Sequence, residues 1–412
     1  MSNVNFIQDF EVVRQIGSGS FSNVFLCKKD ASFVMMDDMD DLFIIKEINT
    51  HELVKKYIKQ HREYRFKRRE ATQITPYQRD ILVNTEQEYY YKKLHDLTYS
   101  EIEILSSFDD TNIVKFYTWN KDSGIYYLRM EYCNGGDVYQ YLKQNGMHCY
   151  DFQFDKTKYN FLIEFCKQVS RGLKYIHEKN IIHRDIKLQN VLIKYKNDKV
   201  EFKISDFGFA CYDLSTNSPN DKCTLQSVRQ GMAKDIICKK YNKLCGTPYY
   251  MAPEIVININ NSKDQNNTYC YNKLVDTWSF GICIYELVFG GFPFVNLISL
   301  EKLKAFYESE DAQGSLDLKI IKREIITDQF REIILGMLKI DYNKRYSIYD
   351  ITNKFDMLKS VYVETDLEKE IYDIINSEED AYNMSSNMKG VKHKILKESE
   401  GLNPIEMSWQ YV

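Results

Sequence analysis

The most constraining stretch of the 412-residue chain is His183-Arg184-Asp185-Ile186-Lys187-Leu188-Gln189-Asn190, with apolar Val191-Leu192-Ile193 after it and Asp206-Phe207-Gly208 beyond. Asp185, Asn190 and Asp206 in that order could place two oxygen ligands and one base around a metal-bound phosphate. Magnesium suits such a supply, because it takes few carboxylates and completes its shell with substrate phosphates and water.

A second signal lies upstream. Ile16-Gly17-Ser18-Gly19-Ser20-Phe21-Ser22-Asn23-Val24 reads as a glycine loop between two strands. Glycine lets backbone N–H groups approach phosphate oxygens with no Cβ in the way. Alone, the pattern equally suits a plain hairpin. A strand returning from the loop argues against the dinucleotide-binding arrangement, where a helix follows. Further along, Leu42 to Lys46 is an apolar run ending in a lysine, and Glu47 to Tyr99 turns charged and helical. Strand character returns from Ile113 to Glu131, and helical periodicity then dominates, notably over Asn160–Lys179 and Asp276–Phe289. A β-rich start followed by an α-rich remainder predicts an α+β protein with two lobes.

Composition narrows the class. Charged residues make up 28% and hydrophobic residues 44%, which excludes a wholly disordered chain. The net charge of −4 gives no reason to expect nucleic-acid binding. Ten scattered cysteines without a CxxC pair point to reduced, mostly buried thiols, and hence to an intracellular, cytoplasmic setting. No leader-like segment opens the sequence, and Ser2 stands where a myristoylated chain has glycine. The apolar run Trp278–Phe294 is interrupted by Glu286, Gly290, Gly291 and Pro293, so a buried helix and turn is expected, not a membrane span.

Taken in order, these blocks resemble the eukaryotic protein kinases, of the serine/threonine type, over about Phe10 to Lys359. Residues 1–9 then form an extension and 360–412 an acidic tail with a helix, where Leu367, Ile371, Ile374 and Ile375 fall on one face. The resemblance implies a small β-rich lobe, a large helical lobe, ATP and Mg2+ as cofactors, and proteins with Ser/Thr acceptors as substrates. It implies that Lys46 holds the α- and β-phosphates and pairs with a helix glutamate. Glu101 fits best there, with Glu103 as the alternative. Asp185 would accept or orient the substrate hydroxyl proton, Lys187 would sit near the transferred group, and Asn190 and Asp206 would bind magnesium. Residues 16–24 and Leu192 would contact the nucleotide, Glu131 and Cys133 would offer hinge backbone beside Met130, and Asp137 would reach the ribose. Gly246-Thr247-Pro248 to Glu254 resembles the end of an activation segment, with Thr247 serving the site and Glu254 paired to Arg345. Lys187 with Thr247 is the serine/threonine pattern, and the motifs look closest to the autophagy-initiating kinases.

Departures from the pattern are as informative. Ser22 replaces a usual glycine, and Ile44 stands where a small residue commonly roofs the adenine. Residues 47–99 form an insertion, and the segment 206–254 is enlarged, with Thr224 and Ser227 as candidate phosphate acceptors ahead of Ser215, Thr216 and Ser218. Lys55–Arg69 holds eight basic residues against Glu63, while Tyr362–Tyr382 holds eight acidic residues against Lys369. These runs could contact each other or a partner, or simply be solvated. Two other readings share the sequence: a pseudokinase scaffold, and a kinase of lipids or small molecules.

Overall fold

The structure is a computed structural model and describes residues 6–7, 10–18, 22–28, 42–56, 76–145, 156–196, 199–213, 248–258, 272–294, 297, 299–321 and 326–358. The basic run past residue 56, the acidic tail, and the candidate acceptors Ser215, Thr216, Ser218, Thr224 and Ser227 lie outside the described residues. So do Gly19, Ser20, Phe21 and Thr247. The chain divides into two compact units, Met1–Val138 with Asn190–Cys211, and Tyr139–Gln189 with Tyr212–Val412.

The first unit is built on a six-stranded sheet. Its strands are β1 (Phe6–Ile7), β2 (Phe10–Ser18), β3 (Asn23–Lys28), β4 (Leu42–Asn49), β5 (Phe116–Asp122) and β6 (Ile125–Glu131), in the order β1-β2-β3-β4-β6-β5. All pairs are antiparallel, so short hairpins suffice to join most neighbours. Side chains alternate between the faces. Phe43 and Ile45 of β4 are fully buried with Cys27 and Phe10, where the Phe10 ring meets Phe43 edge-on at 5.0 Å. Ile44 and Lys46 therefore belong to the opposite face. β4 continues to Asn49, beyond the end at Lys46 suggested by the apolar run. Glu47, Ile48 and Asn49 keep register with Tyr127, Tyr126 and Ile125, and Ile48 is buried.

After a helical turn over residues 50–56 comes α1 (Pro76–Ser106), 31 residues long. Proline at the first helical position costs no hydrogen bond, and no glycine or further proline interrupts the run. Its end is closed by hydroxyls: Ser106 donates to the Ile102 carbonyl at 2.7 Å and Ser107 to that of Ile104 at 2.7 Å. The stretch that reads as an insertion is thus, from residue 76 on, one continuous helix with Glu101. A second hairpin, β7 (Val191–Lys196) and β8 (Lys199–Ile204), completes the unit.

The second unit is helical: α2 (Lys156–Glu178), α3 (Pro253–Ile257), α4 (Leu274–Phe289), α5 (Leu300–Tyr307), α6 (Ala312–Ile321), α7 (Asp328–Met337) and α8 (Ile348–Met357). α4 is its core. Nearly every residue of that helix is buried, and Phe280 packs against Phe165 of α2 and Phe355 of α8. Gly281 admits the close approach of the end of α7, because a Cβ there would lie 2.8 Å from Leu338 and 3.0 Å from Met337. α4 stops at Gly290 in the left-handed region, φ 72°. α8 starts with a capping box between Ser347 and Asp350. The α+β class read from the sequence is what the chain adopts, with the β-rich unit first and the helical bulk after it.

The five cysteines among the described residues, Cys27, Cys133, Cys166, Cys211 and Cys283, are all buried. Burial pushes the Cys27 thiol up to about 11 and that of Cys133 up to about 12. No helix among the described residues is long and apolar enough to cross a membrane.

Candidate active site

In the first unit a lysine and two carboxylates meet. Lys46 Nζ on β4 lies 2.6 Å from Glu101 Oε1 on α1 and 3.1 Å from Asp206 Oδ1. Burial alone would depress the ammonium, but the Asp206 and Glu101 carboxylates outweigh it and hold Lys46 above the ordinary lysine range. Lys46 is thus a fixed cation across the physiological range. Glu101 is buried, whereas the Asp206 side chain is 46% exposed.

Asp206 has φ 62°, a conformation rare for a side chain with a Cβ. Its neighbours hold the backbone there. Phe207 is buried with its ring 4.9 Å from Phe108, just past the end of α1. Ser205 donates from its N–H to the Asn190 carbonyl at 2.9 Å and from its hydroxyl at 3.0 Å. Asn190 and Asp206 are therefore tied through adjacent backbone, and they bring an amide and a carboxylate to the same unit.

The glycine loop is seen at its two shoulders. Gly17 pairs with Val24 and Ser18 with Asn23. The Asn23 carboxamide oxygen accepts from Gln15 and from Ser18, each at 3.2 Å, and fastens both ends of the loop. Gln15 is a contributor that sequence reading missed. Its side chain precedes the motif, and nothing in its type distinguishes it from a solvated strand residue.

The segment after β6 is more tightly held than its sequence suggests. The Glu131 N–H donates to the Lys115 carbonyl at 2.9 Å, and the Gly136 N–H to the Cys133 carbonyl at 3.3 Å. The Glu131 carboxylate is buried, with Lys194 at 3.0 Å and Lys203 at 3.2 Å. Asp137 bridges to Leu192. Gly135 is required by close approach, since a Cβ would lie 2.6 Å from the Ile193 side chain. The two lysine partners fall on β7 and β8, far along the chain, so only tertiary structure discloses them.

The second unit presents the polar loop. Lys187 Nζ lies 2.7 Å from Asp185 Oδ2, and Asp185 is buried. Beneath them sits Asp276 of α4, wholly buried, accepting from the His183 N–H at 2.8 Å and the Arg184 N–H at 2.8 Å, with His177 Nε2 at 2.9 Å. Burial alone would raise the Asp276 carboxyl, but hydrogen bonding and charge from His177, with His183, bring it below the usual carboxylate range. Three donors on one carboxylate hold the loop from below and let Arg184 keep its left-handed φ of 67°.

The same unit holds two further pairs. Arg345 grips Glu254 with both arms, at 2.7 and 2.9 Å, and stacks over Trp278. Tyr250, near the start of α3, donates its hydroxyl to Glu286 of α4. Burial lifts the Glu286 carboxyl to about 7, and the Tyr250 hydrogen bond offsets only part of that rise. A carboxyl with a raised folded pKa holds its proton longer in the native state. Stability should therefore fall as pH climbs from the usual carboxyl range through about 7, and level off above it. Urea titrations at several pH values should show this decline in the wild type and a flatter profile in Glu286→Gln.

A model of the protein kinase domain matches residues 82–355, about two thirds of the chain. The match begins inside α1, so the glycine loop and Lys46 precede it. The chain is 30% identical over 259 residues to the human "Serine/threonine-protein kinase ULK1", covering 61% of this chain and 20% of that protein. It is 29% identical over 294 residues to "Serine/threonine-protein kinase ATG1a" of Arabidopsis thaliana, covering 71% of this chain and 33% of that one. With "Probable serine/threonine-protein kinase nek3" of Dictyostelium discoideum it shares 26% over 347 residues, 83% of this chain and 23% of the relative. The matched part thus spans a third or less of each relative. A lysine fixed between two carboxylates on one unit, a buried aspartate with its lysine on the other, and a domain match over two thirds of the chain place it in the protein kinase family.

Proposed function

We propose that the protein is an ATP- and Mg2+-dependent serine/threonine protein kinase that moves the γ-phosphoryl group of ATP to hydroxyls of protein substrates. The observation that carries this reading is the Lys46–Glu101–Asp206 cluster, a permanent cation held between a buried carboxylate and a half-exposed one. In this role Lys46 binds the α- and β-phosphates, and Glu101 holds its ammonium in place. Asn190 and Asp206 supply an amide and a carboxylate oxygen, donors of the kind magnesium prefers. When bound, the ion offsets negative charge on the phosphates.

Asp185 orients the acceptor hydroxyl and takes its proton, and Lys187 neutralises charge on the group in transfer. Thr247 would assist from the segment that precedes Pro248. With the Glu131 N–H engaged, Glu131 can serve the adenine through its carbonyl and Cys133 through its N–H. Asp137 serves the ribose, while Leu192 and residues 16–24 enclose the rest of the nucleotide. Lowering of the barrier then comes from positioning and fixed charge. The kinase domain begins near Phe10, ahead of the family match. β4 outside the match and β6 inside it pair residue for residue, so one sheet carries both.

The test is transfer of label from γ-labelled ATP to a general acceptor protein, with magnesium and with chelator. Magnesium-dependent phosphoserine and phosphothreonine are expected, without phosphotyrosine. Nucleotide binding with no transfer would make the chain a scaffold. Transfer to lipid but not to protein would change the substrate class.

A further inference from the structure

Resting on the phosphotransfer reading above, we propose that a ladder of aromatic rings between α1 and the β5–β6 hairpin is a positioning device for Glu101, with Trp119 and Tyr99 as its positioning residues. Tyr91, His95 and Tyr99 are spaced four apart and form one stripe along α1. Trp119 and Lys121 alternate on β5, and Tyr126 stands opposite Lys121 on β6, so the three share one face of the sheet. The stripe seats on that face. Tyr99 meets Trp119 edge-on at 6.0 Å, His95 meets Tyr126 at 5.9 Å, and Trp119 stacks on Tyr126 at 6.1 Å.

Further toward the helix start, the Lys121 ammonium lies 4.9 Å from the Tyr126 ring centre and 6.0 Å from that of Tyr91. His51 packs on Tyr91 at 4.9 Å and fills the space above Gly124, where a Cβ would lie 2.2 Å from its imidazole. The contacts therefore run from Tyr91 to Tyr99, ending two residues before Glu101.

A helix 31 residues long, about 46 Å, has many ways to slide or roll on a sheet. A roll by one residue, about 100°, would carry Glu101 away from Lys46. Interlocked edge-on and stacked rings have discrete arrangements and oppose both motions. The part of α1 that reads as an insertion thus becomes the part that aims the glutamate holding Lys46.

Three measurements decide the matter. In Trp119→Ala, kcat/KM should fall by about tenfold, and Trp119→Phe should recover most of it. In a Glu101→Gln background, the same Trp119→Ala change should alter kcat/KM by less than about twofold, because the group it aims is already gone. A merely structural Trp119 would give equal losses in both backgrounds, which would overturn the proposal. The third measurement needs no activity. The Lys46 amine should acylate severalfold faster in Trp119→Ala than in the wild type, with exposed Lys344 unchanged. Unchanged Lys46 labelling would likewise refute the device. A wild type without phosphotransfer would remove the functional reading and leave the labelling to decide. If Trp119→Ala does not fold, Tyr99→Leu, which keeps apolar bulk on the helix, carries the same measurements.

Discussion

Asp206→Asn should cut kcat by about a thousandfold, the scale on which one preorganised electrostatic group contributes to a transition state. On the proposed reading the carboxylate has two tasks: it balances Lys46 at 3.1 Å and would supply an oxygen for magnesium. The amide keeps the shape and loses the charge required by both. Nucleotide affinity measured with magnesium should fall together with kcat. Asp185→Ala should lower kcat by between about a hundredfold and ten-thousandfold, the span of a general base. Nucleotide affinity should hardly move there, because Asp185 belongs to the polar loop of the other unit. Equal losses of nucleotide affinity in the two variants would refute this division of labour.

Arg345→Ala should destabilise the second unit by about 3–5 kcal/mol, since it strands the buried Glu254 carboxylate. The arginine also donates to the carbonyls of Lys339 at 3.0 Å and Leu274 at 2.9 Å, so backbone acceptors lose their partner too. A built-in comparison is Arg171, which lies 2.6 Å from Asp356 but with both side chains about half exposed. Arg171→Ala should cost less than about 1 kcal/mol despite the equally short contact. Arg345→Lys should recover only part of the loss, because an ammonium cannot span both carboxylate oxygens. Urea unfolding midpoints at constant slope check all three. Similar losses at Arg345 and Arg171 would contradict burial as the deciding variable.

How far such chemistry could be read from the sequence follows from where each group finds its partner. The polar loop, Lys46 and the glycine loop are contiguous patterns next to apolar runs, and the strand-then-helix order discloses the α+β class. Glu101 could be proposed only through the kinase resemblance, as the best match in Glu101-Ile102-Glu103-Ile104-Leu105, a run whose Ile102, Ile104 and Leu105 are buried. The hydrogen bonds of Asp276 to backbone N–H groups over ninety positions earlier leave no trace in side-chain type. Nor do the two lysines that neutralise Glu131. The charged stretch after Lys46 was the least legible, for a physical reason. Charge marks what a helix shows to water, while the aromatic stripe that seats α1 is spread at every fourth position among lysines and acids.

The buried thiols carry a practical consequence. A cysteine reacts as its thiolate, and burial both hides these sulfurs and suppresses their ionisation. Cys27 sits in the β-rich unit, and Cys166 and Cys283 sit in the helical one, with burial raising the latter two well above the ordinary thiol value. Each is silent until its surroundings open. The wild-type chain therefore contains its own set of timers: the order in which these sulfurs capture a thiol reagent records which unit opens first, with no label engineered into either.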